Sequence, residues 1–167
     1  MPIACSTKES ELDVPAIAKE YYKVYQKRKD LNKLLSFYDE HIIFKDIING
    51  DLIKGKESLS KFLDWANPNF SMLDTVSLKI VKQTIDKNEV TTRGYFTEFQ
   101  WGEIKFEAMH FTSILIFNKQ GKIIEQIDWI NYPSNLIDYN NRKNANKWIE
   151  RDGDERMREL ENERMKK

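Results

Sequence analysis

Val76–Ile85 (VSLKIVKQTI), Glu89–Trp101 (EVTTRGYFTEFQW), Ile104–Phe117 (IKFEAMHFTSILIF) and Lys122–Tyr132 (KIIEQIDWINY) are four successive runs rich in β-branched and aromatic residues. Such runs read as strands. They are joined by Asp86-Lys87-Asn88, by Gly102 and by Asn118-Lys119-Gln120-Gly121. Connections this short make neighbouring strands antiparallel, so the second half of the chain is expected to be a meander. The third run is apolar on both faces, with Phe106, Ala108, Ile114 and Ile116 on one and Met109, Phe111, Leu115 and Phe117 on the other. A sheet in one small domain usually keeps one face wet. One face is therefore expected to wrap a core or cavity, and the other to meet helices or a second copy of the chain, giving a homodimer.

Ahead of these strands the period changes. Ile17, Tyr21, Val24 and Tyr25 recur at helical spacing from Val14 to about Lys29, with Pro15 in the first turn. Asp30 is placed to cap a second helix with Leu31, Leu34, Leu35 and Tyr38 on its apolar stripe. His41–Ile47 reads as a strand, Asn49-Gly50-Asp51 as a turn, and Lys56–Trp65 as a third helix stopped at Asn67-Pro68. Helices grouped ahead of a meander predict an α+β domain over residues 14–140. Residues 1–13 read as a flexible leader, and 141–167 as a charged helical tail in which Asp154 is placed to cap the last helix.

Composition narrows the function. The 167 residues carry 27 Lys plus Arg and 27 Asp plus Glu, so no uniform field draws the chain to nucleic acid or anionic lipid. A single cysteine excludes an internal disulfide and a cysteine-cluster metal site. No apolar run approaches the roughly 20 residues of a transmembrane helix. His41 and His110 have no partner at metal-ligand spacing, and neither a phosphate loop, a dinucleotide fingerprint nor a glycine-framed serine occurs. An enzyme built on this chain is expected to work without cofactor or metal, by acid–base chemistry on a small, mostly apolar molecule. The expected location is cytoplasmic. The alternative is lipid anchoring at Cys5, because Ile3-Ala4-Cys5-Ser6 resembles a bacterial lipoprotein cleavage box lacking its upstream signal.

The element order, with the phrases FYDEHIIFKD (37–46), IKGKESLSKFL (53–63), FNKQGKIIEQ (117–126) and DWINYP (128–133), resembles the NTF2-like superfamily, which includes SnoaL-like cyclases and ketosteroid isomerases. The resemblance spans about residues 14–138 and implies a cone-shaped, cystatin-like fold: three N-terminal helices against a curved antiparallel sheet. It also implies site residues. The isomerase pattern sets its catalytic aspartate sixteen positions after the aspartate that opens the second helix, which falls on Asp46, and a tyrosine eight before that aspartate, which falls on Tyr22. A further active-site tyrosine falls on Tyr38 and a glycine on Gly55. A third tyrosine would fall on Leu63, and the protonated acid that helps hold an oxyanion would fall near Ser113, two departures from the pattern.

The residues allow more than one reading. Asp46 ends an apolar strand, where facing inward would make it a partly desolvated base and facing outward a cap for the Asn49-Gly50 turn. Tyr22 either donates to an oxyanion or packs in the core. His110 and Asp128 are both polar residues in apolar strands. A three-residue loop that pairs Asn118 with Lys122 makes them diagonal neighbours. A four-residue loop, favoured by the resemblance, splits them and brings Ser113, Gln126 and Asp128 to the cavity. The candidate site is thus Asp46, Tyr22 and Asp128, with Tyr38, His110, Ser113, Gln126 and Trp129 around a pocket. Whether it serves catalysis, ligand binding or dimeric assembly stays open.

Overall fold

A computed structural model describes residues 12–137, 139–140 and 143–148. Helix α1 (Val14–Lys27) starts where Asp13 accepts the Ala16 N–H at 2.9 Å and ends where Arg28 turns left-handed, φ 46°, its N–H donating to Val24 and Tyr25. Val14, Ala18, Tyr21 and Tyr22 form its buried stripe. Helix α2 (Leu31–Leu35) is a short piece capped by Asp30, which accepts from the Lys33 N–H at 2.8 Å. Tyr38, read as the end of that helix, instead opens strand β1 (Tyr38–Asp46). A hairpin arm, β2 (Asp51–Lys54), returns along β1, and helix α3 (Lys56–Leu63) buries Leu59 beneath them.

The four predicted strands become six. The run 76–85 is β4 (Leu78–Asp86), preceded by a short strand, β3 (Phe70–Met72). The run 89–101 breaks at Thr97-Glu98 into β5 (Glu89–Phe96) and β6 (Phe99–Trp101), and the run 104–117 breaks at Glu107-Ala108 into β7 (Ile104–Phe106) and β8 (Met109–Phe117). At the first break, buried Thr97 donates its hydroxyl to Val76 C=O at 2.6 Å and its N–H to Ser77 C=O. Beyond the breaks β6 pairs with β7 on one side and with β3 on the other, forming a separate three-stranded sheet. The last strand is β9 (Ile123–Ile130).

The main sheet runs β2-β1-β9-β8-β5-β4. It is mixed, where an antiparallel sheet was expected, because β1 lies parallel to β9. A reading of consecutive hairpins reports only neighbours in sequence, and this pair joins the first strand to the last. Its inner face carries Ile42, Phe44, Val90, Met109, Phe111, Leu115, Phe117 and Ile130 against α1 and α3. Within β8 the apolar rows alternate as predicted, with Met109, Phe111, Leu115 and Phe117 facing in and Ile114 and Ile116 facing out beside His110 and Thr112; the break at 107–108 removes only Phe106 and Ala108 from the outer row.

The β8–β9 hairpin combines both expected registers. Gly121, at φ 74°, closes a three-residue loop in which Asn118 N–H donates to Lys122 C=O at 2.8 Å. One extra residue then enters β9, since Phe117 pairs with Ile123 but Ile116 pairs with Glu125. This bulge at Ile124 shifts the pairing so that Ser113 faces Asp128. Ser113, Gln126 and Asp128 come to the inner face, and His110 goes to the outer one.

Of the leader, Leu12 and Asp13 are described and belong to the domain, Leu12 packing on the core. Near the other end Ala145 is buried, and Lys143 C=O lies against Gly50, so chain past the expected boundary at 140 touches the β1–β2 turn. The expected helix after Asp154 lies outside the described residues.

Candidate functional site

Strands β1 and β9 run side by side in register, so Asp46 and Asp128 share one rung of the ladder. Both are buried, at 0% and 6% exposure, and their surroundings separate their roles. Asp46 is committed: its Oδ1 accepts the Ile48 and Asn49 N–H groups at 3.0 and 2.9 Å, and its Oδ2 accepts the Tyr132 hydroxyl at 2.6 Å. It caps the turn and is buried at once, two readings that the sequence set against each other. Burial raises its carboxyl above the ordinary range, and the Tyr132 and backbone donors pull back.

Asp128 borders a cavity of about 280 Å³ that Asp46 does not line. The cavity is walled by aromatic and apolar side chains, among them Phe44, Phe70, Phe96, Phe99 and Met109, with Tyr25, Arg28 and Tyr132 as further polar lining. Its shape follows from the strand breaks: Phe99 of β6 stacks between Phe70 of β3 and Phe106 of β7, at ring separations of 5.5 and 5.1 Å. The second sheet thus supplies one wall and the main sheet carries the acid. Such a largely apolar cleft with a few convergent polar groups is the usual form of a small-molecule site.

A buried network leads to Asp128. Gln126 donates its amide to both Asp128 oxygens, at 3.1 and 2.9 Å. Tyr38 donates to Gln126 Oε1 at 2.6 Å, and the Tyr21 and Tyr38 hydroxyls lie 2.7 Å apart. Each phenol has one proton, so Tyr38 spends its own on Gln126 and Tyr21 donates to Tyr38. Burial pushes Asp128 up from the ordinary 3.8 to about 7, the nearby Ser113 hydroxyl dipole and the Gln126 amide opposing and the Asp46 charge adding. The Tyr22 and Ser113 hydroxyls line a small recess beside Asp128 and have no hydrogen-bond partner among the described residues. Burial, more than the Asp128 charge, keeps the Tyr22 phenol protonated.

The structure therefore gathers Tyr22, Tyr38, Ser113, Gln126 and Asp128 on the inner face, and sets Asp46 beside them without access to the cavity. His110 and Trp129, expected in the pocket, differ: both lie on the outer face, where they line a separate groove with Arg93 and Thr112. The bulge at Ile124 turns Trp129 outward, and His110 faces out by the plain alternation of β8. Sequence reasoning missed Arg28, Tyr132, Tyr21 and Tyr25. Tyr132 was detectable as an aromatic two residues past the strand that carries Asp128, whereas Tyr21 and Tyr25 were counted in the apolar stripe. No cluster of His, Cys, Asp and Glu among the described residues has metal-binding geometry, and no described helix is long and apolar enough to cross a membrane.

No protein-family model and no curated protein matches the sequence. Solved structures do. A protein from Shewanella putrefaciens CN-32 classed with the SnoaL-like polyketide cyclases matches with a TM-score of 0.60 at 20% identity, over 72% of this chain and 91% of that one. An epoxide hydrolase of M. tuberculosis, of the LEH-like kind, matches with a TM-score of 0.57 at 12% identity, over 71% and 82%. A protein of ketosteroid isomerase-like fold from Catenulispora acidiphila DSM 44928, solved with trimethylamine, matches with a TM-score of 0.55 at 19% identity, over 72% and 86%. The chain has the NTF2-like fold, in the arrangement that SnoaL-like and ketosteroid isomerase-like proteins share.

Proposed function

We propose that the chain binds a small, mostly apolar carbonyl compound in the 280 Å³ cavity and moves a proton on it without a cofactor, with Asp128 as the proton carrier. One observation carries this reading: Asp128 is a buried wall residue of an apolar cavity, held near pKa 7, where a carboxyl group both takes and returns a proton efficiently at neutral pH. In its ionised form it removes a hydrogen from the carbon beside the carbonyl. The C–H electron pair moves into the enolate, and the proton returns from Asp128 to another atom of the substrate. Isomerisation, cyclisation and dehydration all fit this cycle. Tyr22 offers an uncommitted O–H beside Asp128. Gln126 and the tyrosines behind it orient the carboxylate. Asp46, the residue to which the isomerase pattern gives the base, acts in this proposal as a positioning residue that holds Tyr132 at the cavity wall. The outer sheet face is proposed to pair two copies of the chain.

Deuterium exchange into the carbons flanking the carbonyl of 2-tetralone, followed by NMR in D₂O, tests the proposal. The native protein is expected to accelerate exchange and Asp128→Asn to lose on the order of 100-fold or more of that acceleration. If 2-tetralone binds and exchange stays at the solvent rate, the cavity is a binding site without chemistry. If 2-tetralone does not bind at all, the cavity reading itself falls.

A further inference from the structure

Arg28 has no role in that cycle, yet it lines the same cavity. It sits just past the C-terminus of α1 in the left-handed region, φ 46°, where glycine is the cheapest residue and arginine is strained. Its guanidinium carbon lies 4.0 Å from the centre of the Phe70 ring and 5.5 Å from that of Trp65, so the planar group is held against the aromatic wall. Stacking uses the face of a guanidinium and leaves its N–H edge free to donate. The Nε atom is buried without a hydrogen-bond partner, and no carboxylate among the described residues lies within ion-pair distance. Asp64 acts on it only through its charge. A half-buried cation with an unspent N–H edge, fixed on the wall of an apolar cavity, is a receptor for an anion.

We infer that the natural ligand is a flat, mostly apolar organic acid whose carboxylate is received by Arg28 while its carbon skeleton lies in the apolar cavity, along the edges of Phe70 and Phe99, and reaches toward Asp128. A single negative charge fits and a phosphate dianion does not: among the described residues Arg28 is the only basic side chain in the cavity lining, and Asp128 already brings one acid to it. The volume, at the small end of ligand clefts, suits a one- or two-ring skeleton. This inference rests on the cavity being a small-molecule site.

Calorimetric titration with 2-naphthoate and with 2-naphthamide, its neutral near-isostere, separates the two claims. The native protein is expected to bind 2-naphthoate about tenfold or more tightly than the amide, the scale of a charge-assisted hydrogen bond. Arg28→Gln should erase that preference, costing the carboxylate far more than the amide, while Arg28→Lys, which keeps the charge and loses the flat fork, should retain part of it. Equal affinity for both probes in the native protein, or an undiminished preference in Arg28→Gln, overturns the acid ligand and leaves the cavity reading intact. If Arg28→Gln does not fold, the native protein and Arg28→Lys still decide it. Binding of neither probe, together with failure of 2-tetralone to bind, removes the cavity reading and this inference with it.

Discussion

Asp128 binds its proton more tightly in the folded chain than an unfolded aspartate does, because burial outweighs the opposing pull of the nearby Ser113 hydroxyl and the Gln126 amide. A carboxyl raised in this way favours folding most while it is protonated. That contribution is complete below the unfolded value near 3.8 and is lost as pH rises through about 7. At about 1.4 kcal/mol for each pH unit between the two values, the loss is on the order of 4 kcal/mol. Asp46 shifts in the same direction. The native protein is thus expected to lose denaturation free energy between pH 4 and 8, and Asp128→Asn to flatten the profile and be the more stable form at pH 8; urea titrations at four pH values measure both. A profile unchanged by Asp128→Asn would mean that its carboxyl is solvated. Asp128 was legible because a polar residue in an apolar strand advertises itself. Arg28 was not, since within Lys27-Arg28-Lys29 it is indistinguishable from a solvated helix end.

At the scale of elements, the long strands were readable and their interruptions were not. Val90 to Phe96 alternate inward and outward throughout, and Gln126 to Ile130 do so once past the bulge. The break at Thr97 depends on hydrogen bonds to a distant segment, Val76 and Ser77, which no local pattern reports. The same holds for β2 and β3, each a few residues long and dependent on its partner. Gly94 illustrates a constraint of this non-local kind. It pairs with Ile80 next to the irregularity in β4, and a Cβ there would lie 2.3 Å from Lys79 C=O and 3.0 Å from the Phe111 ring. Because the nearer atom is backbone, Gly94→Ala is expected to cost about 1–3 kcal/mol, readable as a lower urea midpoint with unchanged slope. An unaffected midpoint would show that the β4–β5 pair has room to part. Phe111 also packs on Phe96 at 4.9 Å, so the strain would reach the cavity wall.

For the whole molecule, the described residues cover the inner face of the sheet and leave apolar side chains open on the outer one. Ile114, Ile116 and Ile127 are half-buried there, and Ile43, Ile124 and Trp129 are 36–38% exposed. Apolar side chains gathered on one sheet face are a common mark of association. Sedimentation at micromolar concentration is expected to give twice the 19.9 kDa chain mass, and Trp129→Glu to return it to the monomer. A native protein that sediments as a monomer would remove the argument. The fold as a whole was legible because element order and phrases such as DWINYP point to one architecture; the site was legible only in part, since the side that each residue faces was left to the hairpin register.

The extra residue at Ile124 makes the interior of this protein a matter of parity. Every residue of β9 beyond it owes its side of the sheet to an odd count, so the inward set Gln126, Asp128 and Ile130 and the outward set Ile127 and Trp129 would trade places on loss of one residue. Substitutions at Ile124 keep the count; a single deletion inverts it. The hairpin can therefore drift widely in composition while the chemistry of the interior persists, and comparison with distant relatives assigns an acid to the correct wall only if its gaps preserve odd and even.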